Sequence, residues 1–210
     1  DADTFSCVDQ AISAGNYHSL ALCSDGTGAA WGGNQYGQLG DNTTTDRSDP
    51  VAVNTNARVS ALYGKTVVAV AAGWFHSLAL CSDGTVAAWG YNLLGELGDN
   101  TTTPRPAPVA VNTNIGTALF HKKVISIGVG GAHCLALCSD GTVATWGDNQ
   151  VFELGDHTTR QFTPTPVAVA TNAGISALHG KQVVAVSAGM MHNLALCSDG
   201  TVAGWGSDEF

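Results

Sequence analysis

Charge is scarce in this chain, and positive charge is scarcest. Of 210 residues only 12% are charged, with eight Lys plus Arg against seventeen Asp plus Glu. The formal charge of −9 repels a phosphate backbone, which argues against nucleic acid as a partner. No apolar run approaches the ~20 residues of a membrane helix, so helical membrane insertion is not expected. The opening Asp1-Ala2-Asp3-Thr4 has neither the basic nor the apolar region of a signal peptide. Windows rich in Ala, Leu, Glu and Lys together, the material of long helices, are missing. So are a Gly-rich phosphate loop after a strand, a nucleophile elbow, paired catalytic carboxylates and a calcium loop of alternating Asp and Asn. No catalytic centre and no cofactor are therefore expected.

What is present is repetition. The segment His18-Ser19-Leu20-Ala21-Leu22-Cys23-Ser24-Asp25-Gly26-Thr27 returns unchanged from His76 to Thr85. It returns with one change from His133 (Cys134) and with one change from His192 (Asn193). Each copy runs on to a Trp-Gly pair at Trp31, Trp89, Trp146 and Trp205, and the His, Cys and Trp series all step by 58, 57 and 59 residues. The units fall at about 8–65, 66–122, 123–181 and 182–210, within a single repeat domain spanning 1–210.

Each unit reads as strands. In the second, Val67 to Ala71 is a short β-branched run, His76 to Cys81 a second strand and Thr85 to Trp89 a third, with Ser82-Asp83-Gly84 as the hairpin turn between them. A polar loop follows, then a proline-bounded fourth strand, Pro108 to Val111. The stretch around Leu62 reads as a helical turn linking units. Four short antiparallel strands in ~58 residues is the recipe of a β-propeller blade. The expected fold is all-β, with about three and a half to four blades. Strand one of the first unit is eroded, with Asp9 where Val67, Val124 and Val183 stand later. Only three copies of the fourth strand are present, so the ring is expected to be partial or completed by oligomerisation, with self-association or the remainder of a longer array covering the open ends.

The pattern Gly-x-x-His-Ser-Leu-Ala-Leu-x-x-Asp-Gly-Thr-Val-x-x-Trp-Gly-x-Asn-x-x-Gly-x-Leu-Gly resembles the regulator of chromosome condensation repeat, in the tandem form found in bacteria. It runs from Gly15 to Gly40 and from Gly73 to Gly98. The third unit departs at Phe152, where a Gly belongs. The resemblance implies a β-propeller, usually of seven blades. It also implies an extracellular or cell-surface location, since similar bacterial propellers are secreted or surface-borne and one type inhibits β-lactamases. Composition alone suits a cytoplasmic protein equally well.

Several residues invite chemistry. The four aligned His cannot converge on one metal ion, because equivalent positions on neighbouring blades lie ~10 Å apart and ligands must approach to ~2.1 Å. They are expected to pack and hydrogen-bond at strand starts. Cys23, Cys81, Cys138 and Cys197 are expected to be buried and unpaired, acting as small hydrophobes. Cys7 and Cys134 are the one off-register pair for which a bridge is conceivable. Asn42-Thr43-Thr44 and Asn100-Thr101-Thr102 match glycosylation acceptors, a pattern frequent by chance.

Variation among units singles out a surface. The Leu-Ala-Leu-Cys-Ser-Asp-Gly core barely changes, while the pair between Gly and His and the run after Trp-Gly change freely. Strand directions place both variable sets on one rim. Candidate binding residues there are Tyr17, Tyr36, Trp74, Phe75, Tyr91, Leu94, Phe152, Met190 and Met191, rich in the aromatic and Met side chains that recognition surfaces favour. The leading expectation is a non-catalytic scaffold with a protein partner. The alternatives are a structural subunit of a surface assembly and, as the resemblance to the family's namesake implies, a guanine-nucleotide exchange factor.

Overall fold

A computed structural model describes residues 12–208, and Cys7 and Asp9 lie outside them. Strands and turns, with no helix, make up the described residues, and each sheet is an antiparallel meander in chain order. The first holds β1 (Ile12–Ala14), β2 (His18–Leu22), β3 (Gly28–Gly32) and β4 (Arg47–Ala52). The second holds β5 (Val67–Ala72), β6 (His76–Cys81), β7 (Val86–Gly90) and β8 (Arg105–Ala110), and the third β9 (Val124–Val129), β10 (His133–Cys138), β11 (Val143–Asp148) and β12 (Phe162–Ala168). The fourth has three strands, β13 (Val183–Ala188), β14 (His192–Cys197) and β15 (Val202–Gly206). The described residues thus form an all-β propeller arc of three four-stranded blades and one three-stranded blade.

The blades stand side by side through their inner strands β1, β5, β9 and β13. The core lies between blades rather than within them. Leu20, Leu39, Val67 and Trp89 pack as one cluster across blades one and two, and Leu78, Leu97, Val124 and Trp146 as another across blades two and three. A third, with Leu137, Leu178, Val183 and Cys197, joins blades three and four. A thin sheet has no interior of its own, so each blade depends on its neighbours for burial.

Two local expectations are revised, and a third holds. The fourth strand starts earlier than Pro108. Arg105 already pairs with Gly90 across a register shift, and an outermost strand tolerates Pro because its other edge needs no donor. The stretch around Leu62 forms isolated turns, with Ser60 N–H on the Asn56 carbonyl and Lys65 N–H on the Leu62 carbonyl, and no helix propagates from them. The Asp-Gly hairpins form as read, with Gly84 at φ 87° and the Asp83 carboxylate accepting from the Thr85 N–H. The last three are also clamped from the preceding linker, since Lys65 pairs with Asp83, Lys122 with Asp140 and Lys181 with Asp199.

The cysteine expectations divide. Cys81, Cys138 and Cys197 are buried free thiols, and Cys23 is buried. Cys134 is also a buried free thiol, while Cys7, its conceivable partner, lies outside the described residues. The Cys134 sulfur is engaged in a blade-to-blade contact.

Candidate binding surface

The repeated histidines weld each blade to the next. His18 Nε2 lies 2.8 Å from Ser77 Oγ, His76 Nε2 3.2 Å from Cys134 Sγ and His133 Nε2 2.8 Å from Asn193 Oδ1. The receiving residue, always the one after the next blade's His, passes the chain on. Ser77 donates to the Gln38 carbonyl, Cys134 to the Glu96 carbonyl and Asn193 to the Glu153 carbonyl. Each carbonyl also accepts the next blade's indole N–H at 2.9 Å, from Trp89, Trp146 and Trp205. Because Ser77 and Cys134 spend their hydrogens on carbonyls, the His must supply Nε2–H, which places the proton of a neutral ring on Nε2. Burial agrees, lowering His18 and His133 to about 4 and His76 to about 3.

The His76–Cys134 contact has the composition of a nucleophilic dyad but not its electrostatics. Both side chains are buried, the thiol is pushed well above its ordinary value by desolvation, and the imidazole stays neutral. A reactive cysteine needs the reverse, a thiolate beside a cation and open to substrate.

The same end of each blade carries the variable residues. His18 pairs with Gly32 at the end of the β2–β3 ladder, and the Tyr17 carbonyl accepts the Gly33 N–H. Phe75 and Tyr91 are joined in the same way, as are Met191 and Ser207. Four of the candidate residues come together over blades one and two. Tyr17 stacks on Phe75 at 4.6 Å, and Tyr36 meets Phe75 and Tyr91 edge-on at 5.2 and 4.9 Å. Tyr17 is exposed and the other three half-buried. Trp74 and Met190 sit apart, at the mouth of the central axis, where the Trp74 indole covers Gly131. Leu94 and Met191 are half-buried. Phe152 belongs to neither group. It is exposed on the third blade's outer loop, in the left-handed region at φ 67°, where Gly37 and Gly95 stand in the other units.

Sequence reasoning passed over the residue before each Leu-Gly pair. Gln38, Glu96 and Glu153 are buried there, each folding back to accept an N–H two residues upstream, from Tyr36, Leu94 and Val151. A polar residue at one register in all three units was the available signal. Gln38 Nε2 and Glu96 Oε1 are buried without a hydrogen-bond partner among the described residues. Desolvation pushes Glu96 up to about 7, with the nearby Asp148 carboxylate adding to the shift. Asn34 and Asn92 organise the same loops, each amide bridging to the Asp and Thr residues of the polar stretch that follows.

Comparison with known proteins follows this geometry. A profile of the regulator of chromosome condensation (RCC1) repeat matches residues 30–80, 83–137 and 140–196, and a second profile of the same description matches 10–38, 67–96 and 124–152. The ultraviolet-B receptor UVR8 of Arabidopsis thaliana is 34% identical over 197 residues, 93% of the chain and 40% of that protein. The human E3 ubiquitin-protein ligase HERC2 is 36% identical over 191 residues, 90% of the chain and 4% of that protein. Human WBSCR16 superposes with a TM-score of 0.76 at 26% identity, covering 93% of the chain and 46% of that structure. Yeast RCC1 bound to Kap60 gives 0.74 at 23%, covering 97% and 44%, a likeness of fold alone. The chain therefore spans less than half of each of these relatives.

Proposed function

Because the chain belongs to the regulator of chromosome condensation (RCC1) repeat family, we propose that it is a non-catalytic propeller that binds a protein partner through the rim carrying its variable turns. The carrying observation is the Tyr17–Tyr36–Phe75–Tyr91 cluster. Aromatic side chains gather there with exposed faces, above an inter-blade scaffold that is nearly the same in every unit. Rigid aromatic anchors on a fixed frame bind at low entropic cost, and such residues dominate interface energetics. Similarity to a receptor and a ligase supports a binding role without supplying the partner's identity.

The test is a cross-linking capture comparing the intact chain with the double variant Tyr17→Ser, Phe75→Ser, and with Asp25→Asn on the opposite rim. Partners held by the rim are lost from the double variant, by about tenfold or more, and kept by Asp25→Asn. Trp74→Ser and Met190→Ser extend the test to the axis mouth. Equal capture by all variants would remove the rim from the account. A structural subunit joined blade to blade is the second reading, favoured by Leu194, Leu196 and Val202, which are 44%, 41% and 60% exposed while their counterparts in blade three, Leu135, Leu137 and Val143, are buried.

A further inference from the structure

The hairpins on the rim opposite the aromatic cluster are nearly invariant, but the linkers beside them are not. Between blades two and three a cleft of about 470 Å³ opens on that rim, bounded by the β6–β7 hairpin, the segment after β8 and the linker that follows. Buried Val86, Val111, Leu119 and Val124 form its apolar lining. Repeat register places the corresponding lining, Val143, Val169, Leu178 and Val183, in a smaller cleft of about 200 Å³ between blades three and four. The linkers differ. Leu62-Tyr63-Gly64-Lys65-Thr66 and Leu178-His179-Gly180-Lys181-Gln182 keep a Gly in third place, whereas the middle linker reads Leu119-Phe120-His121-Lys122-Lys123. His121 holds the left-handed φ, 55°, that Gly64 and Gly180 adopt at 69° and 67°. Packing does not offset that strain, since a Cβ on either Gly would meet nothing within 4 Å. The His121 ring lies against Phe120 instead, with centroids 3.9 Å apart, and Phe120 is 37% exposed. Lys123 crosses the hairpin, where a Cβ on Gly84 would lie 2.6 Å from its Cγ, and Thr66 and Gln182 take that station at the other boundaries. Lys65 and Lys122 pair with Asp83 and Asp140, while Lys123 makes no ion pair among the described residues.

We propose that this cleft binds a small aromatic carboxylate, with its ring against Phe120 and the apolar lining and its carboxylate at Lys123 and His121. Charge selects a monoanion. Lys123 is the cleft's one lysine not already matched by a carboxylate, so a phosphate monoester would bring a second negative charge beside Asp83 with no cation to meet it. The volume falls in the range of small-molecule pockets. An exposed aromatic wall favours a ring over an aliphatic chain, because two rings gain from stacking beyond the area they bury. The cleft lies between the second and third blades, on the rim away from the aromatic cluster, and does not depend on the partner reading.

The experiment follows naphthoate by saturation-transfer NMR over the 210-residue chain, with amide exchange locating the contact. Binding saturates at about millimolar ligand or below, and exchange slows at Gly84, Lys123 and Val124 by about threefold or more. Lys123→Gln and His121→Gly copy Gln182 and Gly180 of the next linker, so neither brings in a residue foreign to the fold. Lys123→Gln weakens binding about tenfold and His121→Gly about threefold. Naphthalenemethanol, which lacks the charge, and naphthyl phosphate, which adds one, each bind about tenfold more weakly than naphthoate. The proposal is overturned if Lys123→Gln binds naphthoate as the unaltered chain does, if either analogue matches naphthoate, or if protection falls elsewhere or nowhere with ligand in large excess. It is overturned equally if a short peptide ending in Phe binds about tenfold more tightly than the free acid, which would assign the cleft to a protein C-terminus.

Discussion

Glu96 holds its proton more tightly in the folded chain than in the unfolded one. Its contribution to stability is therefore complete below the ordinary value of 4.5 and is lost as pH rises through about 7. The buried histidines run the other way. His18, His76 and His133, lowered from 6.5 to between about 3 and about 4, stabilise the fold above 6.5 and lose that contribution as pH falls. The first blade solves the same position with Gln38, a neutral side chain of the same shape. Glu96→Gln is accordingly expected to raise stability by about 1–3 kcal/mol at about pH 8 and to change little at about pH 4, as read by urea denaturation at the two values. Thiol labelling provides a second residue-scale check. Cys81, Cys134, Cys138 and Cys197 should resist a native-state reagent and react once the chain is denatured. Burial of the repeated Cys was legible because a small apolar side chain recurred inside an invariant strand. Glu96 was not, because a charged residue in a loop gives no sign in sequence that the next blade will cover it.

Between elements, the weld of His, its receiving residue, a carbonyl and an indole is the joint on which the arc depends. Asn193 serves two bonds at once, from His133 and to the Glu153 carbonyl. Asn193→Ala strips the partner from a buried imidazole and one donor from a buried carbonyl, and is expected to cost about 2–3 kcal/mol. Asn193→Ser should recover most of that loss, because Ser77 makes the same pair of bonds two blade boundaries earlier. Denaturation curves for the two variants decide between a specific joint and mere packing. Strand order, hairpin turns and the register of the His, Cys and Trp series could be read from periodicity alone. The joint could not, since its partners lie 59, 58 and 60 residues apart and sequence similarity marks positions without saying which face meets which. The outer strands were misplaced by a few residues because Pro was taken as a boundary, whereas at an unpaired edge it costs no hydrogen bond.

For the 210-residue chain taken by itself, the exposed face of blade four governs association. Leu194, Leu196 and Val202 form an apolar surface on a sheet whose outer edge is also unpaired among the described residues, and both features invite association. Light scattering of the 210-residue chain should show self-association that rises with concentration and falls in the double variant Leu194→Lys, Leu196→Lys. A compact monomer at high concentration would show that the face is tolerated as it stands. The number of blades was countable in the sequence, but that the core lies between them emerged only from packing. The welds carry a further consequence. Ser77, Cys134 and Asn193 differ in size and chemistry, yet each receives a His and passes a hydrogen to the equivalent carbonyl of the preceding blade. The boundary accepts interchangeable letters, so any unit can follow any other. Loss or gain of a whole unit by unequal recombination would regenerate a working boundary at the splice. Deleting residues 66–122 would bring His18 opposite Cys134 and the Gln38 carbonyl opposite the Trp146 indole. The shortened chain is expected to keep its β-sheet spectrum and to unfold cooperatively, and a gene built of such units can change length without first having to invent a new interface.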